Sequence, residues 1–252
     1  VVDRTSGVPA YRQVADQLAA QISTGELAPG APLPSERELV DLFGISRPMV
    51  REAVKLLRMR GLVDVEHGRG AFVRTPGQVV RLSRNRLTRA ARSLNKGAFL
   101  GDADAAGFTP SVSVRVRVET ADERVARLLE IEPGNEVLVR DRVMSANGLV
   151  VQLAVSRLPR DVTLGTALEE IETGPGGAYA RLEQAGHVLV HFDETVSARM
   201  PSVEEQAQLQ LPEAIPVIAV TRVAYTADRP VEMNDMVLAA NRYELHYRLP
   251  AE

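Results

Sequence analysis

Two hydrophobic periods divide this chain, and no single layer of secondary structure can satisfy both. From Tyr11 to Ile22 the apolar residues Val14, Ala15, Leu18, Ala19 and Ile22 recur at the spacing of one helical face. From Val112 to Val118 the valines alternate strictly with Ser113, Arg115 and Arg117, the period of a half-buried strand. A chain of 252 residues has room for a helical unit and a sheet-based unit side by side.

Charge divides the chain in the same way. Residues 1–96 hold 16 Lys and Arg against 9 Asp and Glu, a balance of +7. The remaining residues hold 14 against 24, a balance of −10, so the near-neutral total of −3 conceals a basic module joined to an acidic one. Such asymmetry suits a polyanion partner for the first half. Cysteine is absent, which excludes disulfides, thiolate metal sites and thiol nucleophiles. No apolar run approaches the ~20 residues that span a bilayer, and no secretory signal is read at the start. A cytoplasmic protein is expected.

In the basic half, Gly25 ends the first helix, and Pro29, Gly30 and Pro32 mark an irregular connection. Ser35 and Glu38 form a capping box ahead of Leu39, Val40, Leu42 and Phe43, and Gly44 stops that second helix. Ser46 is placed to cap a third helix with Pro48 in its tolerant first turn, turning Val50, Ala53, Val54 and Leu57 inward. Arg47 and Arg51, four apart, share the opposite face, where an arginine can make two parallel hydrogen bonds to guanine. Beyond Gly61, two short apolar segments flank Glu66-His67-Gly68-Arg69-Gly70, a wing whose glycines let the backbone approach a groove. A basic three-helix bundle alone also suits an interaction module; the wing and the charge shift favour DNA.

Six blocks occur in order: Tyr11-Arg-Gln-Val, Leu33-Pro-Ser-Glu-Arg-Glu-Leu39, Phe43-Gly-Ile-Ser-Arg47, Val50-Arg-Glu-Ala53, Gly61-Leu-Val63 and Gly68-Arg-Gly-Ala-Phe-Val73. This set resembles the winged helix-turn-helix domain of the GntR family of bacterial transcriptional regulators. The resemblance implies DNA contact from Ser35, Glu36, Arg37, Ser46, Arg47, Pro48 and Arg51, with His67, Gly68, Arg69 and Gly70 in the wing. Pro48 departs from the small polar residue common in the family and removes one hydroxyl contact.

The sequence after Glu66 has no acidic residue before Asp102, while Arg81, Arg84, Arg86, Arg89, Arg92 and Lys96 fall in that gap. It reads as a basic linker or weak helix, either solvated or drawn to phosphate. In the acidic half, helices are expected at 122–129, 164–171, 177–184 and 203–209. Strands are expected at 137–144, 149–155, 187–196, 217–226 and 231–238. This mixture is an α+β domain around an antiparallel sheet. A weak repeat at an offset of 80 places Leu129, Val137, Arg142 and Val151 on Leu209, Val217, Arg222 and Val231.

The layout, with Val139-Arg-Asp-Arg142, Tyr179-Ala-Arg-Leu182, Pro230-Val-Glu232 and Asn241-Arg-Tyr243 in order, is similar to the UTRA effector-binding domain of the HutC subfamily. That resemblance implies a chorismate-lyase-like fold and an effector site drawn from Arg140, Arg142, Tyr179, Arg222, Glu232 and Tyr243. Arg140 and Arg142 alternate onto one strand face, where they form either a carboxylate or phosphate site or an ordinary polar surface. Gly177, the Gln152-Leu-Ala154 segment and Asn241 depart from phosphosugar-binding members and leave the ligand open.

His187, His191 and Asp193 would share one strand face with Glu194 opposite, an ordinary sheet surface rather than a metal site. No nucleophile-elbow or phosphate-loop motif occurs, and no cofactor is implied. The expectation is a winged helix-turn-helix domain at 8–76, a basic linker at 77–102 and a UTRA-like effector and dimerisation domain at 103–250. Such a chain would be a homodimeric repressor released from a pseudo-palindromic operator by a small molecule. The alternatives are a DNA-tethered enzyme of lyase-like fold and a constitutive DNA binder.

Overall fold

The computed structural model describes residues 2–66, 68–75, 79–82, 99–101, 103, 107–211 and 215–247. The chain divides into two compact units, the first built on residues 1–76 and the second on residues 77–211 and 216–252.

The first unit contains α1 (Ala10–Ser23), α2 (Glu36–Phe43), α3 (Arg47–Met59) and the hairpin β1 (Val63–Glu66) and β2 (Gly70–Val73). Val14, Ala15 and Leu18 of α1 meet Leu39 of α2, Val50, Ala53 and Leu57 of α3, and Val63 and Val73 of the hairpin in one buried core. Leu18, Leu39 and Leu57 are fully enclosed, which stabilises the unit by about 2–3 kcal/mol each. The Pro-Gly connector is held as well: the Leu33 amide donates to Ala71 O at 2.7 Å and the Val73 amide to Ala31 O at 2.8 Å. The capping box at Ser35 and Glu38 forms as expected. Gly44 takes φ 63°, a left-handed geometry that closes α2 with its amide on Val40 O at 2.9 Å.

The second unit is a six-stranded antiparallel sheet flanked by helices. Its strands are β4 (Pro110–Thr120), β5 (Glu136–Ala146), β6 (Leu149–Pro159), β7 (His191–Arg199), β8 (Val217–Tyr225) and β9 (Pro230–Ala239), in spatial order 4-5-6-9-8-7. Helices α4 (Glu123–Leu129), α5 (Arg160–Thr163), α6 (Gly177–Gln184) and α7 (Val203–Gln208) connect them. A final strand β10 (Tyr243–His246) pairs in parallel with β3 (Val79–Leu82).

That palindromic order gives the weak sequence repeat a structural meaning. Val137 pairs with Pro159 and Val217 with Ala239; Ser111 pairs with Ser145 and His191 with Tyr225, each second pair 80 residues after the first. Between β6 and β9, Val155 faces Asp235, its own equivalent at that offset, so the pair marks a pseudo-twofold axis. Helices α4 and α7 occupy matching places, and Glu130 and Gln210, which follow them at the same offset of 80, take φ 53° and 50°. The unit is thus a doubled strand–helix–hairpin.

Several boundaries differ from expectation. Gly165 at φ 72° and a short 3-10 turn at Ala167–Glu169 interrupt the helix expected at 164–171. Strand β6 runs on to Pro159, carried at its end by pairing of Leu158 and Pro159 with Leu138 and Val137 of β5. β4 is a sheet edge with a neighbour on one side only, so Val112 and Val118 remain exposed. His187 lies before β7 rather than on it. In the expected linker, residues 79–82 form β3, while Arg84, Arg86, Arg89, Arg92 and Lys96 lie outside the described residues. No described helix is long and apolar enough to cross a membrane.

Candidate functional site

The first unit presents its cations around the start of α3. Arg47 and Arg51 stand exposed on the face opposite the buried Val50, Ala53 and Leu57. Arg51 Nε donates to Glu36 Oε1 at 2.9 Å, and this bond holds the Glu36 carboxyl below its ordinary range. Arg37 is exposed on the first turn of α2. Ser46 stands at the N-cap of α3 with Pro48 in the first turn, but its hydroxyl makes no capping bond, contrary to the expected cap. Ser35 is occupied structurally: its amide donates to Glu38 Oε2 at 2.7 Å while its hydroxyl accepts from the Glu38 amide at 3.3 Å. In the wing, Gly68 and Gly70 take φ 75° and 113°, and the Arg69 guanidinium lies 5.4 Å from the Phe72 ring centre. His67 lies outside the described residues.

The second unit buries charge on one face of its sheet. Strand alternation and register put Arg140 and Arg142 of β5, Ser156 of β6, Glu232 and Asn234 of β9, and Arg222 of β8 on that face. Above this polar row sit Leu138, Leu158, Leu168 and Leu182; below it sit Met144, Ala154, Val220 and Met236. A polar layer between two apolar clusters requires partners for every group it contains.

Many of those partners are internal. Arg140 donates through Nη1 to the carbonyls of Leu168 and Glu170 and through Nη2 to Ile171 O at 2.9 Å. Its guanidinium therefore holds the 167–171 loop, and burial followed by the neighbouring Arg142 charge pushes its pKa down to about 10. Arg142 Nη2 donates to Ser156 Oγ and to Asn234 Oδ1 at 3.2 Å. Arg222 Nε donates to Glu194 Oε1 at 2.7 Å. The Tyr247 hydroxyl donates to Glu194 Oε2 at 3.3 Å.

Arg142 Nε and Glu232 Oε2 make no hydrogen bond within this cluster, while the Tyr179 hydroxyl interacts with both Glu232 and Arg222. They are electrostatic neighbours. Burial lowers the Arg142 pKa against the opposing pull of Glu232 and Tyr179, and burial followed by the Glu232 charge raises that of Tyr179. Leaving one such group unsatisfied typically costs about 1–3 kcal/mol.

The structure thus brings Arg142, Tyr179, Arg222 and Glu232 together and gives Arg140 a different task. Tyr243 is buried in the lower apolar cluster, where its hydroxyl donates to Gln152 at 3.2 Å. Sequence reasoning missed Ser156, Glu194 and Asn234. Asn234 was within reach, being two residues after Glu232 on the same strand face; Ser156 lay beyond the expected strand end. Among the described residues no group of three His, Cys, Asp or Glu could hold a metal ion.

Residues 10–73 match the family described as bacterial regulatory proteins, gntR family, and residues 105–244 match the UTRA domain. The chain is 33% identical over 251 residues to an HTH-type transcriptional regulator of Streptomyces coelicolor, covering 95% of this chain and 92% of that one. It is 28% identical over 250 residues to the HTH-type transcriptional repressor NagR of Bacillus subtilis, covering 98% and 97%. A crystal structure of a GntR-family transcriptional regulator superposes with a TM-score of 0.67 at 29% identity, covering 97% and 98%. PhnF from Mycobacterium smegmatis shares the fold at a TM-score of 0.60 and 24% identity, covering 95% and 100%.

Proposed function

The chain belongs to the gntR family of bacterial regulatory proteins and carries a UTRA domain; on that premise we propose that it represses transcription as an effector-controlled homodimer. As a family member it is a DNA-binding transcriptional regulator and not an enzyme. In the proposal, residues 8–76 read DNA, 77–102 connect, and 103–250 bind the effector and dimerise. Two heads engage a pseudo-palindromic operator, each inserting α3 into a major groove with Arg47 and Arg51 toward the bases. Arg37 and the wing residues Gly68, Arg69 and Gly70 engage phosphate or the adjacent groove. The names of NagR and PhnF, both transcriptional repressors, support the sign of regulation.

The observation that supports the effector reading is a buried polar cluster in which Arg142 Nε and Glu232 Oε2 lack partners beside the Tyr179 hydroxyl. Their chemistry supports a small polar ligand with an acceptor for Arg142 Nε–H and a hydroxyl or amine that donates to Glu232. Ligand binding favours one of two dimer arrangements, and only a difference in affinity between those states couples it to DNA. Binding-site selection from a random duplex pool tests the dimer. Two inverted half-sites at fixed spacing are expected; a single unrepeated half-site contradicts it.

A further inference from the structure

The residues before α1 fold back onto the reading head. The Asp3 amide donates to Gln13 Oε1 at 2.8 Å, and Gln13 Nε2 donates to Asp3 O at 2.8 Å and Val8 O at 2.8 Å. Inside this arm the Asp3 carboxylate accepts from the Thr5 amide at 2.8 Å and the Thr5 hydroxyl at 2.6 Å. Asp3 is thereby occupied within the arm, while Arg4 is exposed and has no ion-pair partner among the described residues. Arg60 and Arg74, by contrast, are paired with Asp16 and Asp64.

Arg4 stands at a groove of about 410 Å³ between the arm and the start of α3, whose walls include Val8, Ile45, Ser46 and Met49. Val8 and Met49 are 43% and 45% exposed, so the groove combines apolar walls with the Arg4 cation, the Asp3 carboxylate already bonded to Thr5, and a Ser46 hydroxyl that makes no capping bond. We propose that this groove seats one deoxyribose-phosphate of the DNA backbone, the sugar against Val8 and Met49 and the phosphate on Arg4 and Ser46. An apolar ring bearing an anion is what such walls complement, and the groove is continuous with the first turn of the reading helix. The arm then adds an electrostatic contact that fixes register on the duplex and carries no sequence information.

This inference rests on the DNA-binding reading, and the experiment separates the two. Full-length wild type, Arg4→Gln, Arg4→Lys and Gln13→Ala are titrated against a fluorescein-labelled random-sequence duplex of about 30 base pairs at several salt concentrations. Arg4→Gln is expected to weaken binding roughly threefold to tenfold and to lower the slope of log K against log[salt] by about 0.9, with Arg4→Lys near wild type. Gln13→Ala, which unties the arm, should follow Arg4→Gln at an unchanged thermal midpoint of α1–α3. Wild-type slope and affinity in Arg4→Gln overturn the proposal and leave the DNA reading standing. Absence of wild-type binding to any duplex overturns both.

Discussion

Replacing Arg140 by methionine separates a scaffold role from a ligand role at a position where sequence alone allows either. Arg140 is 4% exposed and makes three hydrogen bonds to the carbonyls of Leu168, Glu170 and Ile171. A charge-assisted bond contributes about 1.5–3 kcal/mol net, and three of them set the gross loss. Against this stands the relief of desolvation and of repulsion from Arg142, the two causes that depress the Arg140 pKa. Methionine fills most of the volume, leaving a net loss of about 2–4 kcal/mol. For a domain of this size that corresponds to roughly 5–15 °C in the midpoint of unfolding. Four of the five tyrosines (179, 225, 243 and 247) fall in the second unit and the chain has no tryptophan, so near-ultraviolet circular dichroism isolates that transition. A lowered midpoint with retained effector affinity supports the scaffold role. An unchanged midpoint with effector binding abolished would refute it and make Arg140 a direct ligand contact.

Three further perturbations test other parts of the account. Gly44→Ala adds a Cβ that meets nothing within 4 Å, so only the left-handed backbone at φ 63° resists it; a loss of about 1 kcal/mol in head stability is expected by urea unfolding, and no loss would contradict the assigned cap. Asp235 accepts from Arg124 at 2.8 Å and Thr221 at 2.7 Å; burial pushes its pKa up, but these bonds outweigh burial and hold it below the ordinary 3.8. Its contribution is therefore present above the unfolded pKa and lost as pH falls through the lower folded value. Asp235→Asn should cost about 1–2 kcal/mol at neutral pH, with the gap to wild type closing below about pH 3.8, and a pH-independent gap would contradict the pairing. Glu36→Gln removes the carboxylate held 2.9 Å from Arg51, and non-specific duplex affinity at low salt should rise roughly twofold to fivefold; an unchanged affinity would place Arg51 away from the duplex.

The reading head was legible in sequence because its signals are local. Ser35 with Glu38, Gly44, and Gly68 with Gly70 each dictate a cap, a stop or a turn through their own chemistry, and the structure places each there. The sheet was legible through alternation, and the repeat at an offset of 80 anticipated the doubled topology. What alternation cannot supply is the partner of each inward side chain. Arg140 and Arg142 share a face, yet the 167–171 loop, thirty residues away, decides that one guanidinium is occupied by carbonyls and the other is left with an unpaired Nε. Tyr243 and Glu232 are both buried, but Tyr243 lies on β10, outside the six-stranded sheet, and bonds Gln152 rather than joining the polar cluster. The interrupted helix at 164–171 follows from Gly165, whose left-handed backbone competes with an apolar period that otherwise suits a helix.

In the proposed function a ligand seated on Arg142, Tyr179 and Glu232 controls DNA affinity. The most direct measurement is operator binding by fluorescence anisotropy, with and without any ligand that mass spectrometry finds co-purified with the chain. Wild type should lose at least about tenfold in operator affinity when ligand is added. The Tyr179→Phe/Glu232→Gln variant should bind operator as tightly as ligand-free wild type and ignore the ligand. An operator affinity that ligand leaves unchanged in wild type, or one that still falls in the double variant, contradicts the account.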